Sequence, residues 1–189
     1  QPIAMLPDAR LADYEMPLES EPHERTIMQW PVNLDVYDAR SLRAVQAKIA
    51  LIANTISQFE PVVMLTSAAA AKAARAKLGL EVEIWESPTD DLWCRDSGPS
   101  FVVNAKGELA CTEFNFNGWG GKQAHKDDGR IARRCAEKLG MTMFDNGLVG
   151  EGGGVEVDGQ GTALAHASCW VNGNRNSGSE ADVEKLLLD

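Results

Sequence analysis

The stretch Asp90–Phe101 reads DDLWCRDSGPSF and contains the residues around which we expect the chain to be organised. Trp93 stands three positions before Asp96, and Gly98 and Pro99 then interrupt the chain ahead of an apolar run. Because a glycine and a proline in succession indicate a turn, the run that follows is predicted to be a strand. The sequence thus places an acid in a turn at the entrance of a strand, where a carboxylate can meet a ligand.

A second acid, Glu151, directly precedes three consecutive glycines. Without side chains at Gly152–Gly154, backbone and carboxylate could approach another group closely. An ordinary surface glutamate in a plain loop is the alternative. For Asp96 the alternatives are an ion pair with Arg95 or capping of the turn. We predict that Asp96 and Glu151 bind one cation together.

Length, composition and charge limit the possible functions. The 189 residues, 44% of them hydrophobic, could bury the core of one domain or slightly more. The formal charge of −10 repels phosphate backbones and suits a cationic ligand, so no nucleic-acid partner is expected. No apolar run approaches the roughly 18 residues needed to cross a bilayer, and the first residues lack the regions of a signal peptide. A membrane anchor is therefore not expected either.

The cysteines and histidines show no spacing typical of a metal site. We therefore predict no metal, and the chain is too large to require disulfides. Reduced thiols favour a cytoplasmic protein, although export with a removed signal peptide stays open because the sequence does not begin with Met. The residues concerned are Cys94, Cys111, Cys135, Cys169, His23, His125 and His166.

The first third of the chain has the pattern of alternating strands and helices. Residues 1–24 are rich in proline and acids and are predicted to form an irregular N-terminal arm, followed by one domain over residues 25–189. The clearest helix is predicted from Asp38 to Ser57, with further strands at 25–30, 62–65 and 82–85 and an alanine-rich helix at 67–78. The apolar residues that recur at helical spacing, and are predicted to form its buried face, are Leu42, Val45, Ile49, Ile52 and Ile56.

The remainder predicts a hairpin followed by a helix, twice. The first hairpin joins 100–103 to 108–116 and precedes a helix at 127–139, which Gly140 ends. The second joins 155–157 to 162–167 and precedes a helix capped by Ser179. Each hairpin begins at a candidate ligand acid, so a repeat architecture could bring the two acids to a shared axis.

Several ordered motifs are spread across nearly the whole chain. They are MPLESEPHERTIMQWP at 16–31, LWCRDSGPSFVVN at 92–104, FNFNGWGGK at 114–122, GEGGGVEVDGQGTALA at 150–165 and NRNSG at 174–178. Together these motifs resemble the agmatine deiminase family. Bacterial peptidylarginine deiminases are relatives that share the RD-x-GP core. The resemblance implies a pentein-type α/β propeller, here an incomplete ring of about half the repeats.

The same resemblance implies a function and a site. The expected reaction converts agmatine and water to N-carbamoylputrescine and ammonia, without a cofactor, and could contribute to putrescine and polyamine metabolism. Asp96 and Glu151 match the acids that hold the guanidinium, and Trp93 matches the aromatic that packs on the substrate. A guanidinium is planar and offers a fork of N–H donors, which two carboxylates can grip from its edges. Peptidylarginine deiminase and a non-catalytic guanidinium-binding module are the alternatives.

The chain departs from the family pattern at the remaining catalytic residues. In the family, a Gly-His-x-Asp motif lies downstream of the NRN segment and a nucleophilic cysteine lies near the end of a chain about twice this length; neither motif occurs here. We therefore expect the chain alone to be inactive and its partners to be the missing C-terminal half and, in a homo-oligomer, a second copy. Strand alternation would make Cys94 a buried thiol rather than a nucleophile. Trp119 is expected to cover a hairpin rather than to line an entrance.

Overall fold

The computed structural model describes residues 13–145 and 147–188. The predicted arm therefore lies outside the described residues as far as residue 12, and its boundary at residue 24 stays a prediction. Its irregular conformation was wrong at Tyr14–Glu15, which form a short strand. The chain divides into two compact units, one formed by Pro22–Cys94 and the other by Arg95–Asp189 together with the residues before Pro22. Within the described residues, no helix is long and apolar enough to cross a membrane.

The unit Pro22–Cys94 contains a parallel three-stranded sheet with two helices. Its strands follow the chain in the order β2-β3-β4, with Thr26 opposite Val62 and Val62 opposite Val82. Parallel neighbours need crossover connections, which the two helices supply. The elements are β2 (Thr26–Gln29), α1 (Ala39–Ile56), β3 (Val62–Thr66), α2 (Ala68–Arg75) and β4 (Val82–Glu86). The predicted strand–helix–strand–helix–strand order is confirmed.

Helix α1 begins where the sequence predicts, and the core covers part of its predicted face, because Ile49 and Ile56 pack against it. Asp38 caps it, because its carboxylate accepts from the backbone N–H groups of Arg40 and Ser41. The buried positions are Ala50 and Ala53, which pack against the sheet together with Trp30 and Met64. Ile52 is 46% exposed, so its assignment to the buried face was wrong. Ala53 is fully buried, and Ile52, one residue earlier, lies about 100° away around the helix and outside the covered stripe.

The other unit is built on a mixed four-stranded sheet in the order β1-β5-β6-β7. β5 (Ser100–Asn104) and β6 (Leu109–Glu113) form the first predicted hairpin, and β1 (Tyr14–Glu15) pairs with β5. β7 (Thr142–Asp145) lies parallel to β6, after helix α5 (Ile131–Leu139). Gly140 ends this helix with φ of 65°, as its position predicted.

The second predicted hairpin is also present and is shorter. β8 (Val155–Val157) pairs antiparallel with β9 (Ala163–Ala165), and two helices follow, α6 (Ala167–Trp170) and α7 (Glu180–Leu188). Ser179 and Asp182 form the predicted reciprocal cap, since each side chain accepts from the other's backbone N–H. Trp170 is buried with Leu148, Val155 and Val183 in the core of this part.

Candidate functional site

Asp96 lies in a single helical turn, α3 (Cys94–Ser97), directly before β5. The expectation of an extended backbone around Cys94 was therefore wrong, and Cys94 is half-buried rather than buried. The turn forms because Gly98 and Pro99 prevent the helix from continuing. Arg95 forms ion pairs with Glu19 and Glu156, which argues against the alternative in which it pairs with Asp96.

Trp119 contacts Asp96 from the glycine-rich loop α4 (Gly118–Gly121). Its indole N–H donates to Oδ2 of Asp96 at 3.2 Å, and its ring meets Phe116 edge-on at 4.9 Å between centroids. The backbone of Trp119 has φ of 57°, a conformation that is uncommon for bulky residues and costs of the order of 1–3 kcal/mol. The expectation that Trp119 only covers a hairpin missed this hydrogen bond.

Glu151 is buried at the start of the glycine block. On one side, a Cβ at Gly150 would overlap the ring of Trp170, and on the other a Cβ at Gly152 would overlap the carbonyl oxygen of Arg95. The glycines are therefore required because aromatic and backbone atoms occupy the space that side chains would take. This close packing places the backbone of Glu151 between two fixed groups.

Gly153 brings the two predicted acids into neighbouring positions. A Cβ on Gly153 would overlap Oδ1 of Asp96, so the Asp96 carboxylate lies directly against the turn that follows Glu151. The structure thus joins the two sequence segments that we expected to meet. That both carboxylates bind one cation stays a prediction.

The carboxylate of Glu151 is held by Arg175, which our sequence interpretation did not select. Nε of Arg175 donates to Oε1 at 3.0 Å and to Oε2 at 3.1 Å, and Nη2 donates to Oε1 as well. The two side chains are 11% and 7% exposed, so the ion pair is buried. Arg175 belongs to the NRNSG motif, and that motif was the one signal in the sequence that could have identified it.

Trp93 belongs to the unit Pro22–Cys94, and its side chain is 47% exposed. Asp96 and Glu151 belong to the other unit. The part that Trp93 plays in a site with them stays a prediction.

Two of the four cysteines, Cys111 and Cys135, have environments that do not favour nucleophilic thiolates. Burial raises the pKa of Cys111 and of Cys135 to about 12, because a buried thiolate lacks solvation. Cys169 and Cys94 are half-buried. The raised pKa values argue against Cys111 and Cys135 as nucleophiles.

The comparisons with known proteins identify the family of this chain. Residues 15–189 match the model of the Porphyromonas-type peptidyl-arginine deiminase family. The chain belongs to this family. It is 37% identical to an agmatine deiminase of Ectopseudomonas mendocina over 189 residues, which are 95% of this chain and 51% of that protein. It is also 36% identical to an agmatine deiminase of Pseudomonas aeruginosa, again over 95% of this chain and 51% of the relative.

Solved structures of the deiminase family show the same fold. The agmatine deiminase of Enterococcus faecalis superposes with a TM-score of 0.89 at 33% identity, over 95% of this chain and 51% of that one. The substrate-bound agmatine deiminase of C. jejuni, at 22% identity and a TM-score of 0.79 over 92% of this chain and 52% of that one, is similar in fold. The resemblance to agmatine deiminases and the pentein-type α/β fold are confirmed. The chain spans about half the length of these relatives.

Proposed function

We propose that this chain supplies the guanidinium-holding part of a deiminase that converts agmatine and water to N-carbamoylputrescine and ammonia. The supporting observation is the close approach of Asp96 to Gly153, two residues beyond a buried glutamate that already grips a guanidinium group. Glu151 therefore has the surroundings that a planar, forked cation requires. Membership of an amidine hydrolase family supports the reaction class.

In the proposed reaction, Asp96 and Glu151 hold the substrate guanidinium so that its central carbon faces a cysteine thiolate. The sulfur bonds to that carbon, one amino group takes a proton and leaves as ammonia, and water then displaces the sulfur to give the ureido product. The cysteine and the proton-transferring histidine are assigned to residues outside this sequence. Trp93 is proposed to pack on the substrate near the reacting group.

The two acids contribute mainly by electrostatic attraction and orientation. A carboxylate about 4 Å from the guanidinium contributes on the order of 4 kcal/mol at an effective dielectric constant near 20, before desolvation is subtracted. Orientation matters equally, because a misplacement of about 1 Å can reduce a rate about 100-fold. Replacing either acid by its amide is therefore expected to reduce kcat/KM by at least about 100-fold.

The test uses the full-length gene product and a colorimetric assay for ureido groups. We expect turnover of agmatine and little turnover of a benzoyl-arginine peptide. In Asp96→Asn and Glu151→Gln we expect kcat/KM for agmatine to fall by at least about 100-fold. Asp158→Asn is a matched control, because Asp158 is exposed in the turn between β8 and β9 and accepts hydrogen bonds there from Gln160 and Thr162. Preference for the peptide would instead support a peptidylarginine deiminase.

A polypeptide restricted to these 189 residues provides a second test. We expect it to release no ammonia, because none of its four cysteines is assigned as the nucleophile. Ammonia release from it would contradict that assignment. Agmatine binding by the natural protein with no turnover would support the non-catalytic module.

A further inference from the structure

Arg175 is a buried charged residue to which the proposed reaction gives no role. Its side chain is 11% exposed, and its Nε and Nη2 donate to the carboxylate of Glu151. A guanidinium in this place could either hold Glu151 permanently or occupy the substrate's position until displaced. The two possibilities predict opposite effects of removing it.

The backbone on both sides of Arg175 is anchored, which favours a permanent contact. Asn176 donates through Nδ2 to the carbonyl oxygens of Val149 at 2.8 Å and Trp170 at 2.9 Å, and its Oδ1 accepts from the backbone N–H of Val149 at 3.0 Å. The carbonyl oxygen of Asn174 accepts from Nδ2 of Asn117 at 2.8 Å. Displacing Arg175 would require this segment to move.

The glycine-rich loop further restricts the guanidinium. A Cβ on Gly120 would lie 3.0 Å from Nη1 of Arg175 and 2.9 Å from Cβ of Asn174. The loop therefore packs against the arginine at Gly120, while the adjacent Trp119 donates to Asp96. The same loop thus contacts Asp96 directly and contacts Glu151's partner, Arg175.

We propose that Arg175 is a positioning residue that fixes the carboxylate of Glu151 for the substrate. Its bonds use three of the approximately four lone-pair sites of a carboxylate and leave one on Oε2 for a substrate N–H. Its charge also offsets that of Glu151, so Asp96, Glu151 and Arg175 together carry −1 and match a guanidinium of +1. This inference rests on the proposed function.

The test compares Arg175→Ala and Arg175→Lys with wild type in the full-length protein. In Arg175→Ala we expect kcat for agmatine to fall about 100-fold, because Glu151 loses its orientation, while KM changes less than about 3-fold. Arg175→Lys keeps the positive charge but lacks the forked donors of a guanidinium, so its kcat should lie between those of wild type and Arg175→Ala. Arg134→Ala is the matched control, since Arg134, on helix α5, forms an ion pair at 2.9 Å with Asp127 and not with Glu151.

Added guanidine separates positioning from folding. It should restore at least about a tenth of the lost kcat in Arg175→Ala by occupying the vacated space, and it should inhibit wild type by competing with agmatine. Glu151→Gln should not be rescued. Loss of thermal stability with unchanged kcat in the folded fraction would overturn the proposal.

The remaining outcomes distinguish this inference from the proposed function. A lower KM for agmatine in Arg175→Ala would show that the arginine occupies the substrate's position, and would overturn the positioning role alone. A kcat of the Arg175→Ala variant equal to that of wild type would also overturn the positioning role alone. Failure of the wild-type protein to act on agmatine or on the arginine peptide would overturn both proposals.

Discussion

At the residue scale, Gly153 controls where the Asp96 carboxylate can lie. A methyl group there would overlap Oδ1 of Asp96 and force that side chain to move. We expect Gly153→Ala to lower kcat/KM of the full-length enzyme by about 100-fold, as a 1 Å displacement of a holding group would. Gly173→Ala is the matched control, because a methyl group there meets no atom within 4 Å of it among the described residues. Equal activity of the two variants would contradict the close approach.

Trp119 allows a second test at this scale. Trp119→Phe keeps an aromatic ring against Phe116 but removes the N–H that donates to Asp96. We expect kcat/KM to fall about 10-fold, which corresponds to about 1.4 kcal/mol and lies at the lower end for a hydrogen bond to a charged group. The thermal midpoint should change by no more than a few degrees. An unchanged kcat/KM would show that this hydrogen bond does not orient Asp96.

At the scale of elements, the ends of β6 and β7 depend on one arginine of α5. Glu113 and Asp145 lie opposite each other in the parallel register, and Arg133 pairs with both. Burial raises the pKa of Glu113, and Arg133 opposes this while Asp145 adds to it. Without Arg133, two like charges would face each other across neighbouring strands.

We expect Arg133→Ala to lower the free energy of unfolding by about 2 kcal/mol at neutral pH. Breaking a fully buried ion pair costs about 3–5 kcal/mol. We expect a smaller loss here because the Arg133 side chain is 38% exposed and solvent screens its charge. An acid whose pKa is raised in the folded state stabilises that state while protonated and loses this contribution as pH rises through the folded pKa. The loss should therefore be smaller at acid pH than at neutral pH.

Denaturant unfolding of the 189-residue polypeptide at several pH values measures how the loss in Arg133→Ala depends on pH. Arg134→Ala is the control from the same helix, and its partner Asp127 is not buried. Its effect should be smaller, within about 1 kcal/mol. A loss for Arg133→Ala that grows toward acid pH would contradict the sign argued here.

At the scale of the whole molecule, the hairpin β8–β9 presents an apolar edge. All residues of β9 are exposed, and Leu164 is 72% exposed in a sheet of two strands. Open apolar edges promote association between chains. We expect the 189-residue polypeptide to self-associate, and Leu164→Lys to reduce this because a charged edge residue resists pairing.

Light scattering over a range of protein concentrations tests this expectation. Leu188→Lys is the control, since Leu188 is 65% exposed on helix α7 rather than on a strand edge. It should leave association unchanged. An equal reduction by both variants would indicate a general charge effect instead of an effect of the edge.

Local patterns in the sequence determined most of the elements. The cap at Ser179 and the left-handed glycine at Gly140 lie where the sequence predicts, because each depends on residues a few positions apart. Most strands were also predicted, since apolar runs bounded by turn residues are local signals, but β1 and β7 were not. The motif resemblance identified the family for the same reason, because each motif is a short stretch that can be read directly from the sequence.

Only the tertiary structure decided which distant residues meet. The pairing of Glu151 with Arg175, separated by 24 positions, and the hydrogen bond from Trp119 to Asp96, separated by 23, follow from packing of loops against each other. Ile52 illustrates the same limit, because helical spacing predicts a face while the neighbouring sheet decides which face is covered. Local sequence specifies backbone conformation, but contacts between separate segments depend on how the whole chain fills space.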